Sequence, residues 1–176
     1  MTSSFTTPRN AAWPAILAAA TVLGSLALAC VFPFAAFAAL AALTLDKRSG
    51  LTLVAAVWAV NQAVGFFLLT FPWDAQAVGH GIAILGATLA GFGIARVVSD
   101  RIANPVLRSN AALIAAFVVY QVLLAAYAQV GGGAENFTPA IIFDVARNDA
   151  LWFAGLMAIR FLLTRITGER LIAAAA

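Results

Sequence analysis

Hydrophobic residues along the chain fall into six runs, and short polar segments separate them. A helix that crosses the hydrocarbon core of a bilayer needs roughly 20 mainly apolar residues. All but the second run reach that length. The pattern therefore predicts an all-α bundle of about six transmembrane helices in a single domain, residues 1–176. The predicted helices cover residues 11–31, 34–45, 51–70, 75–98, 110–129 and 139–164.

The segments between the runs contain residues that end helices or turn the chain. They are Pro33, the charged segment 46–50, the segment 71–74 with its tryptophan, the loop 100–110 with Asn104-Pro105, and the Gly-rich segment 130–136. The second run, 34–45, is short for a full crossing. It is either a tilted or broken helix or a re-entrant piece packed inside the bundle, where its alanines allow close contact.

Composition agrees with a membrane location. Hydrophobic residues make up 64% of the chain and charged residues 10%, whereas a soluble domain is near half apolar and a quarter charged. The mean hydropathy is +0.99 and the pI is about 9.8. The basic residues are scattered between hydrophobic runs, which is typical of membrane-flanking anchors rather than of a nucleic-acid surface.

The charges also predict an orientation. With six spans and a cytoplasmic N-terminus, nine of the ten basic residues lie inside: Arg9, Lys47, Arg48, Arg96, Arg101, Arg108, Arg160, Arg165 and Arg170. The outer side holds Arg147 and the acids Asp74, Glu135, Asp144 and Asp149. This asymmetry follows the positive-inside rule, so we expect a multi-pass protein of the bacterial inner membrane with both termini in the cytoplasm. If the second run does not cross, only Arg9 changes side.

Several classes of chemistry are missing from the sequence. Cys30 and His80 are the only residues of their types, which excludes an intrachain disulfide, a paired-histidine haem site and a zinc site of three or four Cys/His ligands. The sequence contains no G-x-x-x-x-G-K-[ST], G-x-S-x-G or H-E-x-x-H motif. We therefore expect no enzyme activity and no cofactor of its own.

Polar side chains inside the predicted helices form a first candidate group. Asn61 and Gln62 lie about halfway along the third helix, and Tyr120 and Gln121 lie at a similar depth in the fifth. Such residues are costly in a bilayer and therefore informative. They either hydrogen-bond between helices or form the floor of a ligand cavity.

A second group lies at the predicted outer end, where the candidate contacts are Trp73, Asp74, His80, Asn136, Asp144 and Asn148. Asp144 is three residues from Arg147, so these two can pair on one helix face. One interpretation is an ordinary headgroup-zone belt with tryptophan anchors. The other is a binding pocket that opens outwards, with the Gly-rich segment 130–138 as its lid.

His80 and Cys30 have a further interpretation. A lone histidine at a helix end is usually an interfacial polar residue. Together with Cys30, however, it offers one borderline and one soft ligand on the outer side. Either residue would suit axial coordination of a metal that belongs to a ligand, such as the cobalt of a corrinoid.

Small residues recur in the first, second and fourth predicted helices, most densely in the stretch Ala35-Ala36-Phe37-Ala38-Ala39-Leu40-Ala41-Ala42. With six short helices and an outward polar cluster, the chain resembles the S components of energy-coupling-factor vitamin transporters. The resemblance implies that it binds a vitamin near its outer face. It also implies that the alanine face docks a coupling subunit, which two ATPases energise. Cys30 and His80 favour the cobalamin type.

The leading hypothesis is thus a substrate-binding membrane subunit for uptake of a vitamin-like nutrient. The alternative is a non-transporting scaffold or assembly protein whose small-residue faces dock partner helices. A membrane-embedded enzyme comes third. A binding subunit should contain a cavity under the Gly-rich segment, whereas a scaffold should be packed solid with its polar groups paired to each other.

Overall fold

A computed structural model of the protein describes residues 12–28 and 31–167. These residues form an all-α bundle with no strand among them, which confirms the predicted fold class. The helices are α1 (Ala12–Leu28), α2 (Phe34–Thr44), α3 (Lys47–Ala63), α4 (Ala75–Ser99), α5 (Pro105–Gly131) and α6 (Pro139–Thr167). A π-helical turn, Val64–Leu68, extends α3, and a 3-10 turn, Ala134–Asn136, precedes α6. Cys30, Arg9 and Arg170 lie outside the described residues.

Two helices begin earlier than the hydrophobic pattern predicts. The carboxylate of Asp46 accepts hydrogen bonds from the backbone N–H groups of Arg48 and Ser49, so α3 begins at Lys47 rather than at residue 51. Asn104 caps α5 in the same way, with Pro105 in the first turn, so α5 begins there rather than at residue 110. Both polar segments were predicted to be turns or loops, and this is right for residues 46 and 100–104 but wrong for residues 47–50 and 105–110, because each segment contains an N-cap.

Helix α2 lies inside the bundle. Every residue from Phe34 to Ala42 is buried, and the helix packs against α3, α4, α5 and α6. Its 11 residues reach about 16 Å at 1.5 Å per residue, roughly half the hydrocarbon thickness of a bilayer. The ring of Phe34 at its start stacks on Tyr120, which lies midway along α5. This placement favours a short helix enclosed by the bundle over a tilted crossing.

The outer surface of the bundle is strongly apolar. Three segments are long and apolar enough to cross a membrane, namely Lys47–Leu68, Ala75–Ser99 and Pro105–Gly131. Large hydrophobic side chains project from these segments and from α6, among them Ile82, Ile114, Val122, Leu151 and Phe161. Contiguous exposed apolar surface of this extent is typical of contact with lipid, and it indicates a membrane protein.

One end of the bundle is basic. The guanidinium of Arg96, in the last turn of α4, donates to the carbonyl oxygen of Leu45 at 2.9 Å. This bond places the end of α4 beside the connection between α2 and α3, where Lys47 and Arg48 lie. The Gly-rich loop and the start of α6 follow the opposite end of α5.

Candidate functional site

In α3, Asn61 and the nearby Trp58 are bonded to neighbouring helices. The Asn61 amide donates to the Ser25 hydroxyl in α1 at 3.3 Å, and its oxygen accepts from the amide of Gln62, also at 3.3 Å. The Trp58 indole donates to the carbonyl oxygen of Gly81 in α4 at 2.6 Å. These bonds tie α3 to α1 and α4. They also occupy polar groups that the floor of a ligand cavity would need.

Several residues of the predicted outer cluster contact partners that lie close to them in the sequence. Asp74 caps α4 by accepting from the backbone N–H of Ala77 at 2.7 Å. Asp144 and Arg147 form the predicted pair at 3.1 Å, and both side chains are exposed. Trp73 is 66% exposed and stacks on Phe66 with ring centroids 4.4 Å apart.

Asn148 bonds to the main chain just before α2. Its amide donates to the carbonyl oxygen of Val31 at 2.6 Å. This bond ties the start of α6 to the residues that precede α2. Two of the six outer residues, His80 and Asn136, lie beside the same point.

That point is the Gly-rich loop. Gly132 and Gly133 have φ angles of 84° and 87°, a region that glycine adopts without strain. The loop passes over the start of α4, where a Cβ atom on Gly133 would lie 3.2 Å from Nε2 of His80 and 3.3 Å from Nδ2 of Asn136. Glycine at this position therefore lets the loop approach both side chains closely.

The His80 ring is held in a defined orientation. Its Nδ1 lies 3.0 Å from the carbonyl oxygen of Gln76, and its ring makes an edge contact with Tyr127 at 5.1 Å. A proton on Nδ1 makes the first contact a hydrogen bond and leaves Nε2 with a free lone pair. Histidines that bind metals are commonly oriented in this way by a backbone carbonyl on the other nitrogen.

Asp149 is the site residue that the sequence did not single out. Its side chain is 1% exposed, and its Oδ1 accepts from the backbone N–H of Ala36 in α2 at 2.7 Å. Its Oδ2 has no hydrogen-bond partner. The sequence placed Asp149 among the outer charges. One feature of the sequence could have identified it: Asp149 is an acidic residue next to Asn148 that directly precedes an apolar run, where a charged side chain is unexpected.

Two concavities of the described residues lie along α6, and the Gly-rich loop lines neither of them. One, of about 260 Å³, is lined by Leu151, Trp152, Gly155, Leu156 and Ile159. The other, of about 410 Å³, lies between α6 and the start of α5. Both are open and mainly apolar, and neither is lined by a predicted contact residue. Within the described ranges, no three His, Cys, Asp or Glu residues group as metal ligands.

No family model matches the chain, and no curated protein or solved structure matches it. The resemblance to S components thus rests on the architecture and the alanine stretch. The stretch from Ala35 to Ala42 is buried within the bundle, so it does not present the outer face that the resemblance implies. Gly86 and Gly93 of α4, in contrast, face open space.

Proposed function

We propose that the chain is a multi-pass subunit of the bacterial inner membrane that binds a small nutrient at its outer end for uptake. A separate ATPase module would energise the transport step. The observation that carries the proposal is the arrangement at His80: Nδ1 is engaged by Gln76, and Nε2 lies beside Asn136 and a loop of positive-φ glycines. The basic end of the bundle then faces the cytoplasm, as the positive-inside rule requires.

This geometry favours a ligand with a metal or a hydrogen-bond donor at its centre. The free Nε2 of His80 is a borderline donor that suits cobalt or other transition metals, and the Asn136 amide can both donate and accept. Cobalamin fits that description. The binding surface on this view is shallow and formed by the loop and α4, and Asn61, Gln62, Asp74 and Asn148 support the bundle instead.

Thermal unfolding of the detergent-purified protein with a panel of vitamins tests this proposal. We expect cobalamin to raise the melting temperature, and His80→Gln to abolish that rise without changing the melting temperature of the free protein. Asn110→Ala is a matched control, because Asn110 is exposed on α5 and bonds only within its own helix. If no vitamin stabilises the wild-type protein, the binding proposal is wrong.

A scaffold is the second candidate, because the mid-depth polar groups are paired within the bundle and the open concavities are apolar. A scaffold should form a complex of fixed stoichiometry with a partner protein. Native mass spectrometry of complexes in lipid nanodiscs would reveal that partner. Filling the α6 concavity with Gly155→Phe should then remove it, whereas Ile114→Phe, at an exposed position of α5, should not.

A further inference from the structure

The N-terminus of α2 is a helix end enclosed inside the bundle. The first N–H groups of a helix have no partner within the helix, and Pro33 before α2 provides no side-chain cap. The carboxylate of Asp149 takes that role from α6, through a 2.7 Å hydrogen bond from the backbone N–H of Ala36. A residue 113 positions away thus caps the buried helix.

The Asp149 carboxylate has little to balance its charge. Oδ2 has no hydrogen-bond partner, and no basic side chain of the described residues forms an ion pair with it. The positive end of α2 supplies roughly half a unit charge. Among the surrounding helices, α1 and α2 carry no titratable side chain in their described ranges, and α5 contributes Tyr120, whose ring stacks on Phe34 at the start of α2. An enclosed carboxylate in such surroundings is costly to keep ionised.

Asp149 and its neighbour Asn148 also join α6 to the rest of the bundle. Two side-chain hydrogen bonds between described residues join α6 to other elements, from Asp149 to Ala36 and from Asn148 to Val31. Beyond Asp149, the helix is flanked by the two apolar concavities. Its polar side-chain attachment among the described residues therefore consists of one carboxylate and one amide.

We propose that Asp149 is a proton-binding site whose ionisation state controls the attachment of α6 to α2. A proton binds the unpaired Oδ2, and the side chain becomes neutral. The bond from Ala36 then loses its charge assistance, but the larger cost of enclosing an unpaired charge is removed. The protonated form therefore holds α6 in place, and the ionised form, which gains water when it moves away from α2, loosens it, independently of any ligand at His80.

Infrared difference spectroscopy during a pH titration tests the proton-binding step. A protonated carboxyl group shielded from water gives a carbonyl stretching band that carboxylates lack. We expect this band to appear on acidification of the wild-type protein and to be absent from Asp149→Asn. Asp144→Asn, which changes an exposed carboxylate one turn earlier in α6, should retain it. If the band is absent from the wild-type protein or persists in Asp149→Asn, the proposal is overturned.

Hydrogen exchange of the α2 and α6 amides tests the structural step. After correction for intrinsic rates, exchange at the start of α2 and in α6 should rise as the pH is raised, with the same midpoint as the loss of the infrared band. In Asp149→Asn, exchange should no longer depend on pH through this midpoint, because the asparagine oxygen can accept from Ala36 but cannot titrate. A titrating band with no accompanying change in exchange would contradict control of α6.

Discussion

Several polar side chains in this bundle bind main-chain atoms of another element. Asn148 donates to Val31, Asp149 accepts from Ala36, and Trp58 donates to Gly81. The first two contacts lie at Val31, just before α2, and in the first turn of α2, where backbone N–H groups have no partner within the helix. In a membrane, unpaired backbone groups are tolerated only where protein satisfies them, which gives both residues a structural reason to be polar.

A substitution at Asn61 separates the two interpretations of the mid-depth group. Asn61→Leu removes the bond to Ser25 and frees Gln62, so we expect it to lower the free energy of unfolding by about 1 kcal/mol. Ligand-induced stabilisation should be unchanged, because the amide is already used between helices. Asn110→Leu, at an exposed position, is the control. Loss of ligand binding in Asn61→Leu with unchanged stability would restore the cavity-floor interpretation.

Sequence spacing anticipated only the short-range part of the candidate site. Asp144 and Arg147 pair because they are three residues apart on one helix, which the sequence alone shows. The contacts of Asn148 and Asp149 join residues more than 100 positions apart. No local periodicity encodes such contacts, so Asn148 was predicted to contact substrate and Asp149 was not singled out.

At the scale of the helix, the missed boundaries have one cause. Asp and Asn favour turns and N-caps for the same reason, since their short side chains bind nearby backbone N–H groups. Asp46 and Asn104 are the N-caps of α3 and α5, whereas the hydrophobic pattern extends each connection several residues beyond them. The hydrophobic runs themselves were sufficient to predict α2, α4 and α6 closely.

The Asp46 cap predicts a pH dependence. Hydrogen bonds from the Ser49 hydroxyl and from backbone N–H groups hold the pKa of Asp46 below its usual range. The ionised cap therefore stabilises the fold above the usual pKa of an aspartate, and this contribution is lost as the pH falls through the lowered value. The difference in melting temperature between wild type and Asp46→Asn, a neutral cap, should shrink in acid. A difference that stays constant with pH would contradict this account.

The contact between α4 and α5 predicts which glycine of α4 is essential. A Cβ atom on Gly91 would lie 3.2 Å from the carbonyl oxygen of Ala116, and backbone cannot move aside as a side chain can. Gly91→Ala should lower the free energy of unfolding by about 1–3 kcal/mol. Gly93→Ala, which meets open space, should leave it unchanged or raise it by up to about 1 kcal/mol. Equal effects of the two substitutions in thermal unfolding would contradict a close approach of α4 to α5 at Gly91.

The whole molecule is organised around an enclosed helix rather than around six equal crossings. The alanine-rich α2 fills the centre because its small side chains let four helices approach it. The long helices outside it present apolar side chains outwards. The sequence predicted the membrane class and the number of helices from hydrophobic runs. The sequence did not decide whether α2 is enclosed or faces lipid, because a helix buried on all sides and a helix exposed to lipid have the same apolar pattern.

The most direct test of the proposed function is to identify what the protein carries when it is purified from a bacterial membrane in mild detergent. An absorption spectrum and a mass spectrum of the released small molecules would do so. We expect a corrinoid or another vitamin in the wild-type sample, and its loss from His80→Gln. A wild-type protein that carries no such molecule, and takes up none when it is offered, would contradict a nutrient-binding role at His80.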